Sequence, residues 1–237
     1  AIRVVEARDC RIENNTVDSA FFGIYLARAT DCRVTGNVIH GTGAEESHNG
    51  NGIHLWTSRG VTIENNLITG HRDGVYFEFV HDTRIVANRS EKNIRYGLHF
   101  MYSDDCTYER NEFIGNGSGV AVMYTRRVTM TGTRFEENWG PAAYGLLLKE
   151  IGESRLIRNT FTHNTTGLLS DGADRLVAEG NTFRDNGSGR ELDNQQPGCD
   201  PVLSREFDRW GELQPVGHVA RQRPEVHQYT PGAQHHL

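Results

Sequence analysis

The 237-residue chain is poor in proline, cysteine and long apolar runs, and each shortage excludes something. No apolar stretch approaches the ~20 residues needed to cross a bilayer as a helix, so nothing in the chain inserts into a membrane by itself. The four cysteines (Cys10, Cys32, Cys106 and Cys199) show no CxxC spacing, which removes zinc-ribbon and thioredoxin-like readings. Net charge is −6 with no basic run, which argues against nucleic acid as a partner. Hydrophobic residues make up only 36% of the chain, too few for a thick two-layer core but enough for a thin, repetitive one. There is no start methionine and no signal peptide, so the chain is expected to be a mature or trimmed piece of something longer.

Glycine (26 residues) and asparagine are abundant, and both recur with a period. Short apolar strands follow Ala1, Gly23, Gly52, Gly74, Gly97, Gly119, Gly145 and Gly167, at steps of 22, 29, 22, 23, 22, 26 and 22 residues. Fourteen residues after these anchors stand Asn15, Asn37, Asn66, Asn88, Asn111, Thr133, Asn159 and Asn181. Most of them are followed two residues later by Val, Ile or Phe. Gly and Asn in every unit disfavour a helical repeat, and the apolar residues alternate with period two in β-prone runs. A unit of about 22 residues with two or three short strands fits one coil of a parallel β-helix. Residues 1–189 are therefore read as an all-β, right-handed parallel β-helix of about eight coils. Residues 190–237 hold five of the six prolines and no repeat, and are expected to be an irregular, partly disordered tail.

Coils stack at ~4.8 Å, so equivalent positions form columns along the axis. One and three residues past the anchor the columns are almost purely apolar (Leu98 and Phe100 in one unit) and form the core. Two and four past the anchor they point outward: His54, Tyr76, His99, Ala121 and Leu147 in one, and Trp56, Glu78, Met101, Met123, Lys149 and Asp171 in the other. The Asn column is expected to bond coil to coil through its amides. Cys10, Cys32 and Cys106 share a column with Val61, Thr83 and Val128, which reads as a small interior position. Two longer coils carry Gly-rich insertions, GTGAEESHNGN and NWGPAAY, on either side of the unit holding His99.

Strand geometry puts His99 and Met101 ~7 Å apart on one strand and Met123 ~4.8 Å from Met101 on the next. An imidazole and two thioethers suit Cu(I); His54, Tyr76, Glu78 and Lys149 are alternative or supporting ligands. Two Met residues on a sheet face also serve simply to pack under a loop or a partner. A carbohydrate-active lyase, hydrolase or epimerase would need paired carboxylates, or a carboxylate with a base. Asp73, Glu78, Asp82, Asp104, Asp105 and Asp171 form no evident dyad.

Four stretches, RDGVYFEFVHDTRIVAN (72–88), RYGLHFMYSDDC (95–106), GVAVMYTRRVTMTG (119–132) and GPAAYGLLLKEI (140–151), resemble the NosD family. Its members are periplasmic accessory proteins in the assembly of nitrous oxide reductase. The resemblance spans roughly Gly52 to Asn186. It implies a β-helix in the periplasm that associates with the membrane subunit of an ABC transporter, receives copper from a chaperone lipoprotein and delivers it to the copper–sulfur centre of the reductase, without catalysis. His99, Met101 and Met123 then become candidates for transient Cu(I) handling. Family members are longer, so coils before Ala1 are expected to be missing.

Overall fold

The structure, a computed structural model, describes residues 1–43, 45–193 and 202–203, with side chains through residue 187. Three parallel sheets run the length of the described chain. The first contains nine strands, from Ile2–Val5 through Asp73–Glu78, Tyr96–Met101 and Ser118–Arg126 to Ser188–Asp193. The second begins at Arg11–Glu13 and the third at Thr16–Asp18, with nine and eight strands. Every strand pairs with its counterpart one coil away and never with its sequence neighbour. This is the parallel β-helix expected from the repeat. Apart from Ser188–Asp193 and Val202–Leu203, which extend the first two sheets, the expected irregular tail of 190–237 lies outside the described residues.

The core is a narrow stack. Ile53, Val75, Leu98, Val120 and Leu146 lie in register and are at most 1% exposed. On the third sheet Phe113, Phe135, Phe161 and Phe183 stack ring on ring, with centroids 5.8, 4.6 and 4.6 Å apart. The anchor glycines have a steric origin. None of Gly52, Gly74, Gly97 or Gly145 has positive φ. A Cβ on Gly97 would lie 2.9 Å from Gly119 O, and one on Gly74 would lie 2.7 Å from Gly97 O. The backbones simply approach too closely for a side chain.

Burying so many turns requires their polar groups to be paired. The expected Asn column does this. Asn37 Nδ2 donates to Asn66 Oδ1, Asn66 to Asn88 and Asn88 to Asn111, at 2.9, 2.9 and 3.1 Å. Each Oδ1 also accepts the backbone N–H of the preceding rung, as Asn88 Oδ1 does from Asn66 N at 3.0 Å. A second ladder, missed in the sequence reading, runs through Asn93, Asn116, Asn138, Asn164 and Asn186 at the turn between the third and first sheets. Its rung in the preceding coil is His71, whose N–H donates to Asn93 Oδ1 at 3.1 Å. The interior cysteine column is as read: Cys32 and Cys106 are fully buried. Cys10 and Cys32 are joined as a disulfide between the first two coils, and Cys106 is free.

Replacing Asn88 with Ala strands the Asn66 donors and Ile63 O, which Asn88 Nδ2 reaches at 2.9 Å. We expect the unfolding free energy measured by urea titration to fall by roughly 2–4 kcal/mol. Lys149→Ala, which removes a half-exposed pair with Asp171 at 3.9 Å, should change it by less than about 1 kcal/mol.

Candidate metal centre

The outer face of the first sheet carries the candidate residues in register. Tyr25, His54, Tyr76, His99 and Ala121 form one row, and Trp56, Glu78, Met101, Met123 and Lys149 the next. Met101 and Met123 are directly paired on adjoining strands and both are half-buried. Alternation places them two residues from His99 and Ala121, on the same face.

His99 departs from the expectation of a solvent-facing side chain. It points away from the core yet is only 8% exposed. Tall neighbours enclose it: the Tyr76 ring meets it edge-on at 5.3 Å and the Tyr96 ring lies 4.9 Å away. Neither ring nitrogen has a hydrogen-bond partner, and Nδ1 lies 4.0 Å from Asp73 Oδ2. Burial holds the His99 pKa below its ordinary value, opposed by Asp73 and assisted by Arg95 and Arg72. The imidazole is therefore neutral at pH 7, with a lone pair free for a soft cation.

The supporting residues divide. His54 stacks between Tyr25 and Tyr76 at 4.8 and 4.9 Å, and its Nδ1 is bonded to the Asn51 amide at 2.9 Å. Burial, then Arg72, lowers its pKa to about 4. It lies two coils from His99, ~10 Å by coil spacing, and does not join the same site. Burial, then Glu78 and Asp73, raises the Tyr76 phenol. Glu78 is the partner of Met101 in register, with no cation within ion-pair distance among the described residues. Lys149 sits beside Met123 and reaches toward Asp171. Among the described residues no three His, Cys, Asp or Glu side chains converge as a metal-binding cluster, so a site here depends on the thioethers.

One feature of this face escaped the sequence reading. Asp73, whose side chain is fully buried, is held by Arg95 through Nε–Oδ1 at 2.9 Å and Nη2–Oδ2 at 2.6 Å. Arg95 also lies 3.7 Å from Glu46 in the first insertion, tying that loop to the face. The only hint in the sequence was a charged residue at the entrance of each of two strands, Asp73 as the first residue of Asp73–Glu78 and Arg95 just before Tyr96–Met101. Of the other acids weighed for catalysis, Asp82, Asp104 and Asp105 are engaged at the outer turns. Arg127 grips Asp105 at 2.6 and 2.9 Å, Asp104 accepts Arg126 N–H at 2.8 Å, and Asp82 takes Arg59 at 2.6 Å.

The fold is thus a parallel β-helix that sets two thioethers and an imidazole on one sheet face. Residues 41–197 match the family described as periplasmic copper-binding protein (NosD). The chain belongs to the NosD family. It is 30% identical over 175 residues to the probable ABC transporter binding protein NosD of Stutzerimonas stutzeri, covering 73% of this chain and 39% of that protein. The chain therefore spans about two fifths of the length of that relative. Solved structures share the fold at low identity. The periplasmic alginate epimerase AlgG has a TM-score of 0.64 at 18% identity, over 79% of this chain and 48% of that one. The A-module of the Azotobacter vinelandii mannuronan C-5 epimerase AlgE6 has a TM-score of 0.62 at 16% identity, over 84% and 59%. The Streptococcus pneumoniae surface protein and adhesin PfbA has a TM-score of 0.59 at 9% identity, over 80% and 68%. No described helix is long and apolar enough to cross a membrane.

The buried histidines make acid stability predictable. His71 is fully buried, and burial lowers its pKa to about 4. A histidine depressed in the fold contributes its full stability above the unfolded value of ~6.5 and loses it as pH falls toward 4. The melting temperature should therefore fall as pH drops from about 6.5 to about 4. His71→Asn, which places the ladder's own side chain at that rung, should flatten the decline. An unchanged pH profile in that variant would show that His71 does not govern it.

Proposed function

We propose that this chain carries Cu(I) in the periplasm during maturation of the copper–sulfur centre of nitrous oxide reductase, in association with an ABC transporter and a copper chaperone lipoprotein. The observation that carries the reading is the in-register pair Met101–Met123 beside the neutral, unbonded imidazole of His99. The family's description as copper-binding and the relative's name as an ABC transporter binding protein support it. The Cys10–Cys32 disulfide supports an oxidising compartment.

Two thioethers and an imidazole are soft, uncharged ligands matched to Cu(I). Their sheet strands fix the spacing, while the flexible Met side chains adjust around the ion. His99 has no hydrogen bond to break, so turning its ring toward Met101 costs only packing against Tyr76 and Tyr96. Met101 and Met123 are half-buried beside the buried His99, so an ion held on the thioethers remains reachable for onward exchange. In this reading Glu78 and Lys149 set the local charge and do not bind the metal.

Titration with Cu(I) against a chromophoric competitor should show one ion bound per chain. Met101→Ala/Met123→Ala should abolish that binding, and His99→Ala should weaken it at least about tenfold, the loss of one ligand. Equal Cu(I) affinity in wild type and the double Met variant would overturn the assignment.

A further inference from the structure

The first insertion fixes a group of aromatic rings that the thioether face does not use. Phe21 lies between the strands Thr16–Asp18 and Ile24–Ala27 and is 52% exposed. It is nevertheless held in place. Gly50 N–H, near the end of the insertion, donates to Phe21 O at 2.9 Å, and a Cβ on Gly50 would lie 2.8 Å from two atoms of the Phe21 ring. Phe21 meets Phe22 edge-on at 4.9 Å, and Phe22 meets His54 edge-on at 5.3 Å. Trp56 is fixed as well, by the Arg28 guanidinium 5.7 Å from its ring, which Glu6 holds at 2.6 Å. With Tyr25 these rings line an open cleft of about 880 Å³ on the outer face of the first sheet, within the roughly 300–1,000 Å³ of small-molecule sites. Exposed aromatics that are already ordered lose little freedom when they bind.

The polar groups of the cleft are left without partners. Arg3 stands in register with Tyr25 and His54 on the outward row. Its guanidinium lies 5.8 Å from the Tyr25 ring and has no carboxylate within ion-pair distance among the described residues. Arg28, Arg59, Arg95 and Arg127, by contrast, each grip an acid at 2.6 Å. Asp18 lines the same cleft and has no cation within that distance among the described residues. His54 adds a donor. Arg72 donates to Asn51 Oδ1 at 3.1 Å, which turns the Asn51 amide nitrogen toward His54 Nδ1 at 2.9 Å. Burial lowers the His54 pKa to about 4, so at pH 7 the ring carries one proton. That proton sits on Nε2, which has no partner among the described residues.

These groups select among ligands. An extended peptide binds through its backbone at an unpaired strand edge, whereas this cleft lies on the face of a sheet whose backbone bonds are already made. A membrane surface calls for a cluster of cations, and here one free guanidinium faces the cleft together with Asp18. A sugar ring has an apolar C–H face, attracted to the negative face of an aromatic ring, and a rim of hydroxyls that both donate and accept. A carboxylate on the sugar matches the fork of Arg3. We infer that the cleft is a binding site for an acidic oligosaccharide. Its carboxylate meets Arg3, the C–H face of its pyranose ring packs on Phe21, Phe22 and Trp56, and its hydroxyls bond His54 Nε2 and Asp18. Trp56 is two coils from Met101, and the inference does not rest on the copper reading. No bond is made or broken in this site.

Isothermal titration calorimetry of the full, metal-free chain at pH 7 tests this, with a galacturonate hexamer as probe and cellohexaose as its neutral counterpart. Wild type should bind the galacturonate hexamer, and cellohexaose at least about tenfold more weakly, the loss of a charge-assisted contact. Arg3→Gln should weaken galacturonate binding by the same factor and remove most of its salt dependence. Phe21→Ala/Trp56→Ala should weaken it about tenfold. Trp139→Ala, which removes a 55% exposed ring on the second insertion, should leave it unchanged. No binding of the galacturonate hexamer by wild type, or wild-type affinity in Arg3→Gln or in the double variant, would overturn the site. Equal affinity for cellohexaose would overturn its assignment to acidic sugars.

Discussion

The fold depends on one constraint: each coil hydrogen-bonds to the next along its whole backbone, so equivalent residues are forced to within about 5 Å of one another. Anything placed at one position must tolerate its own neighbours above and below. That requirement explains glycine where backbones nearly touch, asparagine where amides can bond in series, and phenylalanine where rings can stack. It equally explains how function is written on this molecule. A site is built by columns on one face, and its composition changes over only two or three coils.

This is why so much of the fold was legible. The period-two alternation marked the core columns, and Asn88 and its counterparts announced a ladder because only a stacked fold repeats an isolated amide every 22 or so residues. The second ladder was equally periodic, at Asn93, Asn116, Asn138, Asn164 and Asn186. It escaped notice because its first rung is His71, and because it falls in turns, away from the apolar strands that set the register. The steric cause of the glycine column also needed coordinates, since sequence alone does not separate a close approach from a left-handed turn.

The candidate site was legible in register but not in depth. Alternation correctly paired Met101 with Met123 and put His99 on the same face. It did not reveal that Tyr76 and Tyr96 roof the imidazole, because outward-pointing and exposed are different properties wherever tall neighbours stand on both sides. Nor did it disclose the Asp73–Arg95 pair, which forms at strand entrances where the alternation is broken. Burial beneath the tyrosine rings, against the opposing charge of Asp73, holds the His99 pKa below its ordinary value, and its ring nitrogens are left unbonded.

The most direct measurement follows from the chain having only three methionines: Met101, Met123 and Met130. Met130 is 1% exposed in the core and provides an internal control. With ¹³C-methyl-labelled methionine, one equivalent of Cu(I) should shift the Met101 and Met123 methyl resonances together and leave Met130 in place. Unmoved Met101 and Met123 resonances in the presence of bound Cu(I) would contradict the account, placing the ion elsewhere on the chain.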